Sequence, residues 1–161
     1  MTTAIPTLNI EALSSPDAAT RRQTAAEIGR ACRDTGFFVI RGHGLPDRLI
    51  DRTTAGNVGR LQVQARDGQW IEIPALKGAF VCNVGDCLMR WTHDVYVSTP
   101  HRVLSPQRER YSIVLFFDAN PDAIVSALPG SAATDSRHAP ISVSDYLKQR
   151  AAAPPIRHTA A

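Results

Sequence analysis

The chain has 161 residues, 43% of them hydrophobic and 20% charged, with a formal net charge of +3. Both fractions lie near globular averages, which argues against a disordered or fibrous chain, and a domain of that size hides roughly 70% of its unfolded surface, so a true core is expected. The positive excess is almost all arginine, Lys77 and Lys148 being the only lysines, and it is scattered along the chain. A nucleic-acid footprint needs its charges clustered on one face, so no nucleic-acid partner is expected.

The cysteines are Cys32, Cys82 and Cys87. An odd number with no Cys-x-x-Cys pair fits neither a disulfide framework nor a zinc knuckle, and free, largely buried thiols in a reducing compartment are expected. The longest apolar run, Ile113–Phe117, falls far short of the ~20 residues of a membrane helix. No basic segment followed by an apolar stretch opens the sequence. The expectation is a soluble, cytoplasmic protein with no membrane partner.

In chain order, Ile5–Ile10 reads as a short strand, and Ser14-Ser15-Pro16-Asp17 offers a helix start. Ala18–Thr35 has helical periodicity, with Ala25, Ile28, Ala31 and Cys32 on one stripe and Gly36 as the terminator. Phe37–Ile40 is a compact strand, Gly42-His43-Gly44 a turn, and Pro46–Asp51 the first turns of a second helix. Beyond Thr53–Val58 the pattern predicts strands at Leu61–Ala65 and Trp70–Ile73, joined by an Asp67-Gly68 hairpin turn. Further strands are predicted at Ala79–Val84, Cys87–Trp91, Tyr96–Val103 and Tyr111–Asp118, with Gly85-Asp86 and His93-Asp94 at turns between them. Closely spaced short strands argue for a sandwich or jelly roll. Ser142–Arg150 reads as a short helix, and the closing Ala-Ala-Ala-Pro-Pro stretch as a frayed tail.

The chemistry concentrates at His101, Arg110 and Ser112. Arg110 and Ser112 stand two apart in a predicted strand and so share a face. A guanidinium beside a hydroxyl receives a carboxylate well, because its fork matches the two oxygens. A histidine on the adjacent strand could hold a metal that the same carboxylate ligand chelates at its other end. The bland alternative is a hydrogen-bonded structural histidine and a surface arginine.

Gly78-Ala-Phe-Val-Cys-Asn-Val-Gly-Asp-Cys-Leu-Met-Arg-Trp-Thr, with Tyr96-Val-Ser-Thr-Pro-His-Arg-Val and Arg108-Glu-Arg-Tyr-Ser-Ile, resembles the C-terminal half of the iron(II)- and 2-oxoglutarate-dependent dioxygenases. The branch is the one that includes isopenicillin N synthase and the bacterial ethylene-forming enzymes. Gly36-Phe-Phe-Val-Ile-Arg-Gly-His-Gly is similar to that family's N-terminal region. The resemblance implies an α+β fold: an N-terminal strand-helix region packed on an incomplete double-stranded β-helix, or jelly roll. It implies Fe(II) and 2-oxoglutarate as cofactors, and a small organic substrate oxidised with release of succinate and CO2. It assigns His101 to the distal ligand of a two-histidine, one-carboxylate metal site, and Arg110 with Ser112 to the remote carboxylate of 2-oxoglutarate.

The family's His-x-Asp pair has no counterpart in this sequence. The resemblance therefore divides the chain into an N-terminal dioxygenase-like region at 1–52, a junction of apparent internal deletion at 53–58, the C-terminal part of the oxygenase core at 59–130, and an extension and tail at 131–161. Two of the three iron ligands would be lost with the deleted piece. His93-Asp94 lies seven residues before His101, roughly 23 Å along an extended strand, too far to share a metal bonded at ~2 Å. His43 between glycines is expected to be structural, Asp86 a turn residue, Cys82 and Cys87 core residues of adjacent strands, and His138 and His158 solvent-exposed. Strands stripped of partners leave open edges, so self-association through them is expected.

Overall fold

The computed structural model describes residues 4–53, 61–104, 112–129 and 137–153. Residues 54–58 of the expected 53–58 junction, Arg110, Tyr111, His158 and the residues from 154 onward lie outside them.

After β1 (Thr7–Asn9) and a 3-10 turn at Ile10–Ser14 comes α1 (Ala18–Asp34). Asp17 starts the helix, its carboxylate accepting from the amides of Ala19 and Thr20 at 3.1 and 2.9 Å. Such a cap satisfies N–H groups that the first turn leaves without partners. These bonds hold the Asp17 carboxyl below its ordinary range, the Thr20 hydroxyl contributing most. Gly36, at φ +64°, ends the helix, and its amide returns to the Ala31 carbonyl. The buried stripe is displaced at its start from the expected one: Thr24 is buried and Ala25 exposed, followed by Ala31 and Cys32.

The chain then enters β2 (Phe37–Arg41), which runs parallel to β1 and antiparallel to the later β5 (Phe80–Asn83). α2 (Asp47–Thr53) follows it. A second sheet joins β3 (Leu61–Gln64) and β4 (Trp70–Glu72) by the expected hairpin, with β6 (His101–Val103) on the other edge of β3. Each sheet has three strands, in the orders β1-β2-β5 and β4-β3-β6. Phe37 and Val39 of the first meet Val63 of the second, with Ile73 beside them, all at most 3% exposed. Burying such side chains stabilises the fold by about 1.5–3 kcal/mol each. Two small facing sheets with a helix against one of them form the incomplete jelly roll expected.

Three expected strands differ. Cys87–Trp91 belongs to α3 (Asp86–Trp91), whose first-turn Asp86 and last-turn Arg90 both complement the helix dipole. So short a segment cannot be assigned by periodicity alone, and Leu88, Met89 and Arg90 are good helix formers. Of Tyr96–Val103 only His101–Val103 is strand. The Val97 amide bonds instead to the Cys32 carbonyl at the end of α1, and Pro100 has no N–H for a ladder. Residues 112–118 are exposed and pair with no strand among the described residues, because strand propensity alone does not supply a neighbouring strand.

A short ribbon of β7 (Ile124–Val125) and β8 (Ile141–Ser142) leads into α4 (Val143–Ala152), capped by Ser142. No helix among the described residues is long and apolar enough to cross a membrane.

Candidate functional site

His101 opens β6, opposite Val63 of β3. The segment before it is tied down at several points. The Thr99 hydroxyl donates to the Thr35 carbonyl at 2.7 Å, and the Gln64 amide donates to the Pro100 carbonyl at 2.9 Å. The turn at Gly36 fits under this segment, since a Cβ there would overlap the carbonyl oxygen of Val97. The end of α1 thus fixes where β6 begins.

The His101 ring stands edge-on to Phe37, centroids 5.2 Å apart. Its Nδ1 lies 3.1 Å from the Thr99 carbonyl oxygen. A carbonyl only accepts, so Nδ1 carries the hydrogen in this contact, and in the neutral ring the lone pair is then on Nε2. Histidines that ligate metals through Nε2 are oriented in this way. The residue is exposed, so that lone pair is open to a ligand. On the same strand Arg102 turns elsewhere: it donates to the Gln62 side chain at 2.9 Å and lies over the Trp70 ring at 4.0 Å. Ser112 is exposed, in the unpaired stretch.

The other polar candidates are engaged away from His101. His43 uses both ring nitrogens, accepting at Nδ1 from the Leu45 amide and donating from Nε2 to the Gly78 carbonyl at 2.9 Å, with its ring 4.6 Å from Phe80. That is a structural role. His93 and Asp94 do not turn a hairpin; they terminate α3 in left-handed backbone, at φ 57° and 61°. Asp94 receives His138 at 2.8 Å and Arg137 at 3.6 Å, so His138 is half-buried and paired rather than solvent-exposed. His93 is buried with neither ring nitrogen hydrogen-bonded.

Asp86 is likewise no mere turn residue. It accepts from Tyr146 of α4 at 2.5 Å and pairs with Arg150 at 3.4 Å. Burial pushes its carboxyl up, but the Ser98 and Tyr146 hydroxyls with Arg150 and Arg90 outweigh burial and hold it below its ordinary value. Sequence reading missed this tie, which joins residues 60 apart in the chain. Cys82 and Cys87 are half-buried, on β5 and α3 rather than on adjacent strands, and burial raises all three thiols.

The two facing sheets, with His101 opening the edge strand β6, are a partial jelly roll. Residues 49–119 match the 2OG-Fe(II) oxygenase superfamily model, and residues 5–57 match that of the non-haem dioxygenase in morphine synthesis N-terminal region. The chain belongs to the 2OG-Fe(II) oxygenase superfamily. It is 42% identical over 95 residues to the 2-oxoglutarate-Fe(II) type oxidoreductase hxnY of Emericella nidulans, a match spanning 56% of this chain and 27% of that protein. It is 34% identical over 110 residues to 1-aminocyclopropane-1-carboxylate oxidase 3 of Arabidopsis thaliana, spanning 68% of this chain and 34% of the relative. In fold, it superposes on full-length Neurospora crassa T7H in complex with alpha-KG with a TM-score of 0.80, covering 95% of this chain and 100% of that one at 16% identity. The matched parts span only about a quarter to a third of these two curated relatives' own length.

Fe(II) and 2-oxoglutarate are the cofactors expected of this family. The donor set described here does not fit the iron. Among the described residues no group of three His, Cys, Asp or Glu side chains could hold a metal ion. His101 is one imidazole, Asp94 is taken by His138 and Arg137, and thiols raised by burial stay protonated and are poor ligands.

Proposed function

We propose that this chain derives from a non-haem iron(II)- and 2-oxoglutarate-dependent oxygenase of small organic substrates, releasing succinate and CO2, and that on its own it is impaired in that reaction. The observation that carries the reading is His101: hydrogen-bonded at Nδ1, open at Nε2, and without a second metal-ligating side chain among the described residues. One imidazole gives little hold on iron(II), which lies low in the affinity order of divalent metals. The family resemblance gives Arg110 and Ser112 the remote carboxylate of 2-oxoglutarate, so the chain keeps the residues for one end of the co-substrate. A cytoplasmic location belongs to the same reading, since Cys32, Cys82 and Cys87 are free; cell fractionation that recovers the protein outside the cytoplasm would remove it.

The test is anaerobic reconstitution with Fe(II), desalting, and then measurement of iron content, oxygen uptake and succinate. Little retained iron, and succinate no higher than in His101→Ala, is expected. Stoichiometric iron together with succinate formation that His101→Ala abolishes would restore the full oxygenase reading. A second reading, a weak dicarboxylate-binding remnant, is favoured by the Arg110-x-Ser112 pair and is separated from the first by binding in the absence of metal.

A further inference from the structure

Residues 112–118, Ser-Ile-Val-Leu-Phe-Phe-Asp, are exposed throughout. Ile113, Val114, Leu115, Phe116 and Phe117 are 72, 65, 88, 79 and 99% exposed. Within the described residues, no backbone hydrogen bond involves 112–119. The stretch is a strand-forming sequence, and among the described residues no strand pairs with either of its edges. Its apolar side chains present on the order of 600 Å², the upper end of the largest patch on a typical monomer, and edge-to-edge pairing covers part of it.

We propose that this segment pairs with the same segment of a second copy of the chain, antiparallel about a two-fold axis at Leu115. The sequence is self-complementary in that register. Val114 then faces Phe116, Ile113 faces Phe117, and Ser112 faces Asp118. Aromatic and β-branched residues make favourable cross-strand pairs, and a serine hydroxyl donates to a carboxylate. Moving the axis by one residue sets Ser112 against Phe116, or Val114 against Asp118. Parallel in-register stacking sets Asp118 against Asp118, and like charges directly opposite destabilise. The two-fold arrangement is isologous, the same edge of each segment meeting its equivalent in the other copy. The proposal does not depend on the oxygenase reading, because it invokes neither metal nor co-substrate.

Sedimentation of the full chain tests it, with a species of twice 17.5 kDa expected to form as concentration rises. Leu115→Asp places two carboxylates opposite each other on the axis, so its dimer dissociation constant should rise about tenfold or more. Its circular dichroism should be unchanged, because Leu115 has little packing within its own chain to lose. Leu115→Cys should give a covalent dimer under mild oxidation, read against the wild-type chain with its own three cysteines. A monomer at all concentrations, an open-ended aggregate, a dimer indifferent to Leu115→Asp, or no cross-link through residue 115 would each overturn the proposal.

Discussion

Tyr146 of α4 donates its phenolic hydrogen to Asp86 Oδ2 of α3 at 2.5 Å, and so ties the C-terminal helix to α3. Burial and this bond to Asp86 push the phenol up to about 12 from an ordinary 10.0. The Asp86 carboxyl lies below its ordinary 3.8. Both shifts stabilise the folded chain at neutral pH.

The consequence is a stability that falls at both extremes. A carboxyl depressed by folding stabilises above its unfolded value, and the gain is lost as pH falls below 3.8 through the folded value. The phenol's contribution is complete below 10 and is lost as pH rises toward 12. Tyr146→Phe removes a hydrogen bond to a charged group and should cost about 1.5–3 kcal/mol at neutral pH. Thermal unfolding across pH checks this; if the variant keeps the wild-type acid limb, the tie contributes nothing to it.

Gly36 and Gly44 make a second comparison, both having positive φ, 64° and 75°. A Cβ at Gly36 would overlap the Val97 carbonyl and crowd the Thr99 hydroxyl, while at Gly44 nothing lies within 4 Å. Gly44→Ala should therefore cost only the backbone term of about 1–2 kcal/mol. Gly36→Ala should cost that and the displacement of the segment leading to His101, about 3 kcal/mol or more. Denaturant unfolding of the two variants measures the difference, and equal losses would refute the account of how β6 is placed.

Much of this fold was legible in the sequence, and the exceptions have a common cause. Local signals were enough for α1, started by Asp17 and ended by Gly36, and for the β3–β4 hairpin turned at Asp67-Gly68. They failed where the outcome rests on a distant neighbour. Residues 96–100 look extended, yet their partners are the end of α1 and Thr35. Asp86 reads as a turn because Tyr146, which gives it a purpose, is far along the chain. Ile113–Phe117 has the composition of a strand, but no strand lies beside it among the described residues. At the candidate site the motif singles out His101, but the Thr99 carbonyl that its Nδ1 meets belongs to the local backbone path and leaves no sequence signal.

The thiols yield a third prediction. Burial is the first cause of the raised values at Cys32, Cys82 and Cys87, and a thiol's reactivity follows its thiolate fraction. At neutral pH all three should be alkylated more slowly than free cysteine, and labelling should become rapid on unfolding. Mass spectrometry after timed iodoacetamide exposure reads each site separately. A rate at Cys87 matching free cysteine would contradict the environment described for α3.

The last prediction concerns what the chain still binds. If Arg110 receives a dicarboxylate, its fork supplies two parallel charge-assisted bonds, whereas Ser112 supplies one neutral hydroxyl. Without a fixed metal the 2-oxo acid end has no chelate, so only the far carboxylate is held. Affinity for 2-oxoglutarate should then be millimolar, about −4 kcal/mol, and succinate should bind almost as well. Succinate carries the same remote carboxylate but not the 2-oxo group that a metal would recognise. Arg110→Lys should weaken binding, because a point charge does not reproduce the planar fork, and Ser112→Ala should weaken it less. Calorimetry with both ligands, with and without Fe(II), separates the possibilities. Binding undiminished in Arg110→Ala would remove the co-substrate assignment, and a strong preference for 2-oxoglutarate that appears only with Fe(II) would point to a metal site that His101 does not form alone.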